Sequence, residues 1–111
     1  MEINYYNEGD ILIVAPVGKL DTTHAPEFTK LIKQLFEEKP KACLIDLTHI
    51  TFLASSGLQS ILAAAKISKK EEMQFGVFGM QEMAYNVFTM SGFNQFIKSF
   101  TSKEEALANL L

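Results

Sequence analysis

The side chains best placed to do chemistry in this sequence are two adjacent serines, Ser55 and Ser56. They sit between the run Ile50-Thr51-Phe52-Leu53-Ala54 and the pair Gly57-Leu58, where the apolar spacing becomes that of a helix. Serine is among the best residues for accepting the first free backbone N–H groups of a helix, so the pair is expected to cap one. Hydroxyls there lie at the positive end of the helix dipole. A phosphate in that place meets unpaired donors and a favourable partial charge, so the chemistry that suits the pair is addition and removal of a phosphate.

Other chemistries have weaker support. A serine hydrolase places its nucleophile in a Gly-x-Ser-x-Gly turn between strand and helix. Ala54-Ser55-Ser56-Gly57 has glycine on one side only, and His24 and His49 offer little choice of base. The two histidines are far apart and neither has a second imidazole at metal-ligand spacing. No phosphate-binding Gly-rich loop, dinucleotide turn, Cys-x-x-Cys pair or His-Glu-x-x-His helix occurs, so no metal or cofactor is expected and an enzyme is disfavoured. The flat, small surface of Ala54-Ser55-Ser56-Gly57, with Ala63 and Ala64 off the main apolar stripe, instead suits close approach by another backbone. A phosphate on Ser55 would put about −1.5 to −2 charges into such a contact. Weakening binding a hundredfold takes only ~2.7 kcal/mol, within reach of one buried unpaired phosphate.

The rest of the chain must position these residues. Its 111 residues suit one domain, and 48% hydrophobic residues, 9 Phe among them, against 21% charged describe a chain that folds. A net charge of −3 without a Lys/Arg stripe argues against nucleic acid or an anionic membrane as main partner. The single cysteine, Cys43, lies in the apolar run Ala42-Cys43-Leu44-Ile45 and reads as a small buried hydrophobe. No leader-like or membrane-spanning stretch occurs, so a soluble cytoplasmic protein is expected.

Strand chemistry runs from Ile3 to Tyr6 and Ile11 to Val17 around the turn Asn7-Glu8-Gly9-Asp10, an antiparallel hairpin with Pro16 expected near a strand end or edge. Asp21, Thr22 or Thr23 can cap a helix with Phe28, Leu31, Ile32 and Leu35 inward, stopped by Lys39-Pro40. Ala42 to Leu47 reads as a strand covered on both faces. The next helix carries Leu58, Ile61, Leu62 and Ala65 and ends in Lys69-Lys70-Glu71-Glu72. Gln74 to Phe78 is a strand. Gln81 to Met90 is a helix with Met83, Ala84, Val87 and Phe88 inward, closed by Ser91-Gly92. Phe96 to Phe100 is a last strand, and Ser102-Lys103-Glu104-Glu105 resembles a capping box opening a terminal helix from Glu104 to Leu111, with Leu107, Leu110 and Leu111 inward. The expected fold is α/β, one domain, with a mixed sheet of about five strands and four helices. In such sheets sites form at the carboxyl ends of strands, where Ser55 and Ser56 fall.

The stretch from Leu44 to Leu58 resembles the signature of the STAS domain family, specifically its stand-alone bacterial anti-sigma factor antagonists. Gly18-Lys19-Leu20-Asp21 is similar to that family's Gly-x-Leu-Asp turn, and Met90-Ser91-Gly92-Phe93 to its Ser-Gly-apolar turn before the last strand. The likeness spans nearly the whole chain. It implies a non-enzymatic regulator that binds a serine-kinase anti-sigma factor, is released by phosphorylation, and is restored by a PP2C-type phosphatase. Carried over by position, the phosphoacceptor is Ser55 and Ser56 the helix-capping neighbour. Asp21, Thr22, Ala54, Gly57 and Leu58 would border the docking surface, with Ser91 and Gly92 beside it. The family commonly has an acidic residue just before the phosphoacceptor; this chain has Ala54. An interaction domain in a larger signalling assembly with a non-sigma output is the alternative, and the oligomeric state is left open between monomer and weak dimer.

Overall fold

Gly9, at φ 62°, turns the chain between β1 (Glu2–Glu8) and β2 (Ile11–Leu20), which pair antiparallel with Tyr6 opposite Ile13. The computed structural model describes residues 1–110. After β2 come α1 (Ala25–Phe36), β3 (Ala42–Asp46), β4 (Ile50–Leu53) and α2 (Ser55–Lys70). They are followed by β5 (Gln74–Phe78), α3 (Glu82–Met90), a 3-10 turn (Phe93–Gln95), β6 (Lys98–Phe100) and α4 (Lys103–Asn109). The sheet order is β1-β2-β3-β5-β6, with every pairing beyond the hairpin parallel. β4 lies parallel to the far end of β2.

The unbroken apolar run of β3 has the explanation expected of it. Cys43 and Ile45 enter one core with Val14, Phe28, Ile32, Leu58, Ile61 and Phe88, so α1, α2 and α3 cover that face. Ala42 and Leu44 enter a second core with Ile13, Phe78, Ala106 and Leu110, under α4. Both faces of a central parallel strand are thereby dry. Burial pushes the Cys43 thiol well above its ordinary range, which leaves it an inert core residue.

Several details depart from the reading of the sequence. Pro16 lies within β2, not near its end: it stands opposite Ile3 of β1, and on the other side β3 pairs with Ile11 to Val14 and β4 with Gly18 to Leu20, so Pro16 falls in the gap between these two parallel partners. Gly18-Lys19-Leu20 is accordingly strand and not turn, with a register shift between Gly18 and Lys19 and Gly18 at φ 99°. β4 is absent from the elements expected from the sequence; only its end residues Ile50 and Leu53 are buried, so neither alternation nor a continuous apolar run marks it. Ala64 is in the core and Ala63 half-buried, which places them on the packed side of α2. Met83 is 43% exposed, so α3 turns only Ala84 and Phe88 fully inward. Phe96 precedes β6 instead of opening it. The expectation for Leu111 lies outside the described residues.

The terminal helix starts at Lys103, one residue before the expected Glu104, and Ser102 caps it. Ser102 Oγ accepts the Glu105 N–H at 3.1 Å, while the Glu105 carboxylate accepts the Thr101 N–H at 3.0 Å, one residue before the box partner. Ser102→Ala removes this cap. It should lower unfolding stability by about 1 kcal/mol, read as a shift in the urea midpoint.

Candidate phosphorylation and docking site

β2 and β4 run in parallel and deliver two chain segments to the same end of the sheet. From β2 comes Asp21-Thr22. From β4 comes Ala54-Ser55 and the start of α2. The Leu20 carbonyl accepts the Ala54 N–H at 3.1 Å, tying the segments together at the backbone. The Thr22 and Ser56 hydroxyls lie 3.0 Å apart and bond side chain to side chain.

Gly57 explains why the two can come so close. It is buried on α2, and a Cβ there would collide with the carbonyl oxygen of Leu20. Glycine in a helix is costly by about 1 kcal/mol relative to alanine. Here the absence of a side chain lets the first turn of α2 lie directly on the end of β2.

The capping expectation needs correction. The N-cap of α2 is Ala54, in extended conformation and without a side-chain oxygen, so neither Ser55 nor Ser56 caps the helix; they occupy its first and second positions. The first paired N–H belongs to Leu58, which donates to the Ala54 carbonyl at 3.0 Å. Those of Ser55, Ser56 and Gly57 have no acceptor among the described residues. Ser55 is exposed and its hydroxyl makes no hydrogen bond there, whereas Ser56 is half-buried and held by Thr22. The two serines are therefore distinct: one free, one fixed.

An uncapped start carries a prediction. Ala54→Asp supplies the missing acceptor and a negative charge at the positive end of α2. It should raise the stability of the unphosphorylated chain by about 1 kcal/mol, measured by thermal or urea unfolding.

The other expected site residues divide by burial. Asp21 is half-buried; its Oδ1 accepts the His24 N–H at 3.1 Å, and its carbonyl accepts the N–H groups of His24 and Ala25, which starts α1. Asp21 thus shapes the turn before α1, whose N-cap is His24. His24 Nδ1 is 2.8 Å from the same carboxylate but out of line for a hydrogen bond. Desolvation acts to raise the Asp21 carboxyl, and the His24 contacts and the Thr23 N–H outweigh it, leaving it below the ordinary value.

Leu58 is 1% exposed and packs in the core, so it anchors α2 and offers nothing to a partner. Gly57 is likewise covered, by Leu20. Ser91 and Gly92 close α3: their N–H groups donate to Val87 and Thr89, and Gly92 takes φ 77°. The chain leads from them to the amino end of β6, while Ser55 follows the carboxyl end of β4. Among the described residues no hydrogen bond joins them to the Ser55 surface.

The sequence reading missed Leu20, whose carbonyl receives both Ala54 and the bare face of Gly57. A glycine at the third position of a strongly apolar helix is the signal that could have found such an approach. It also missed a groove of about 740 Å³ between α1 and α2, lined by Thr22, Pro26, Ser56, Gln59 and Ala63 among others. Among the described residues no helix is long and apolar enough to cross a membrane.

The family model of the STAS domain matches residues 2–106, almost the entire chain. The chain belongs to the STAS domain family. This STAS domain is 25% identical over 100 residues to the anti-sigma-F factor antagonist RsfB of Mycobacterium tuberculosis, covering 90% of this chain and 81% of that protein. It superposes on the crystal structure of an anti-sigma factor antagonist from Mycobacterium paratuberculosis with a TM-score of 0.89 at 23% identity, covering 98% and 94% of the two chains. A second similar structure is the Bacillus cell fate determinant SpoIIAA in its phosphorylated form, with a TM-score of 0.74 at 15% identity and coverage of 99% and 100%. The two structures share the fold of this STAS domain, a mixed sheet with four helices, as the motif resemblance implied.

Proposed function

We propose that this STAS domain is an anti-sigma factor antagonist that works by partner switching, with Ser55 as the switch. The observation that carries the proposal is a free, exposed serine hydroxyl at the first position of a 16-residue helix with unpaired N–H groups around it. Unphosphorylated, the small surface of Asp21, Thr22, Ala54, Ser55 and Ser56 docks a serine-kinase anti-sigma factor, which frees the sigma factor. The groove beside Ser56 extends that surface. The names of the relatives support the role, and the phosphorylated SpoIIAA supports the chemistry in a protein of the same fold.

The kinase transfers the γ-phosphoryl group of ATP to Ser55 Oγ, whose proton passes to a base on the kinase. The product is charged at the centre of the contact. Docking then requires stripping water from a phosphate with no cation opposite it, and the complex dissociates. A PP2C-type phosphatase resets the switch by hydrolysis. The protein is a substrate throughout and catalyses nothing. With Ala54 in place of the acidic residue that the family resemblance leads one to expect, no neighbouring carboxylate repels the new phosphate, which favours the phosphorylated form.

The test is incubation with a kinase-type anti-sigma factor and ATP, followed by peptide mass spectrometry. Phosphate on Ser55, lost in Ser55→Ala, is the expected result; phosphate on Ser56 or Thr22 alone, or none, contradicts it.

A further inference from the structure

Phe96 projects from the loop before β6 with 72% of its surface exposed. It stands between two hollows of about 530 and 470 Å³, with Leu62 and Ala65 of α2 on one side and Leu110 on the other. Lys66 and Lys69 of α2 and Lys98 of β6 rim them, and no Asp or Glu lines either hollow. None of the three lysines joins an ion pair among the described residues, where side-chain ammonium groups pair only at Lys41 and Lys103. In a chain of net charge −3, the lining of these hollows around an apolar knob is cationic, with Glu71 and Glu72 beyond the end of α2 outside it. β6 is also the terminal strand of the sheet, so its outer edge carries unpaired backbone groups.

We propose that the outer edge of β6, with Phe96 and the lysines Lys66, Lys69 and Lys98, is a second docking site for an acidic, extended peptide segment bearing apolar side chains. Such a segment adds a strand to β6 through its backbone, seats alternate side chains against Phe96, and sets its carboxylates against the lysines. The concavity on both sides of Phe96 suits individual side chains, whereas a membrane would meet a flat or convex basic face. Lys66 and Lys69 lie roughly 16 to 21 Å along α2 from Ser55, at the helical rise per residue. The site is therefore remote from the switch and independent of it, and one domain could hold two partners at once.

The probe is a short fluorescein-labelled peptide alternating glutamate and phenylalanine, titrated into the full chain and followed by fluorescence anisotropy and amide NMR. It should bind with shifts centred on β6 and weaken as salt is raised. Phe96→Ala and the pair Lys66→Glu, Lys69→Glu should each weaken it about tenfold or more, with Tyr5→Ala on the opposite edge strand leaving it unchanged. All are surface changes, and a retained amide spectrum verifies the fold. The proposal is overturned if the peptide does not bind, if its lysine-for-glutamate counterpart binds equally well, if shifts lie elsewhere, or if phosphatidylserine vesicles bind Phe96 and the lysines while the peptide does not.

Discussion

Gly57→Ala should destabilise the fold by about 1 to 3 kcal/mol, although it replaces the poorest ordinary helix former with the best. Propensity alone favours alanine by about 1 kcal/mol. Against it stands a Cβ driven into the Leu20 carbonyl, a backbone atom that cannot swing aside as a side-chain end could. Relief requires α2 to lift from β2, which stretches the Leu20–Ala54 hydrogen bond, a contact worth about 0.5–1.5 kcal/mol, and separates the Thr22 and Ser56 hydroxyls. These losses and the strain of overpacking, about 1–3 kcal/mol, together exceed the propensity gain. The check is urea unfolding: the midpoint falls with the slope unchanged, and the variant also docks more weakly because its first helical turn has moved. An unchanged or raised midpoint would show that α2 has room the close packing denies it.

Ser55→Asp should cut affinity for the proposed kinase-type anti-sigma factor about a hundredfold while leaving stability unchanged or slightly raised. A hundredfold loss corresponds to ~2.7 kcal/mol, within the cost of desolvating one uncompensated carboxylate in an interface. Stability moves the other way because the new charge sits at the positive end of α2, worth about 0.3–1 kcal/mol. Opposite signs for docking and stability separate the switch from simple misfolding. Ser55→Ala should bind like the parent and resist phosphorylation. Isothermal titration beside thermal unfolding reads all of these, and tight binding by Ser55→Asp would remove the electrostatic gate.

Most of the architecture was legible because the elements that carry it are unambiguous in pattern. β3 is apolar throughout, as a strand between two covered faces must be, and β5 has its predicted bounds from Gln74 to Phe78. The turn at Gly9, the helix stop at Gly92 and the cap at Ser102 each follow from local backbone chemistry. What escaped depends on neighbours distant in sequence. Pro16 is acceptable inside β2 only because β3 ends before it and β4 begins after it, which no local pattern records. β4 has two exposed residues between two buried ones, and it exists because Leu20, Lys19 and Gly18 offer it a ladder.

The site shows the same division. Ser55 and Ser56 stand out by residue type and position, and their nearness to Thr22 and Asp21 follows from the family resemblance. Their roles were not fully legible. Two serines before a glycine look like a cap, yet the chain places Ala54 at the cap position and leaves the N–H groups open. Leu58 looked like part of a surface because it belongs to the motif; its 1% exposure makes it the anchor beneath that surface. Phe96, expected to start a strand, stands outside the sheet as its most exposed phenylalanine.

On the proposed function, a phosphate on Ser55 decides whether this STAS domain docks. The most direct measurement is the affinity of the chain for a kinase-type anti-sigma factor before and after stoichiometric phosphorylation at Ser55, with phosphatase treatment as the return step. Affinity should fall about a hundredfold or more on phosphorylation, and dephosphorylation should restore it fully. Equal affinities for the two forms would contradict it.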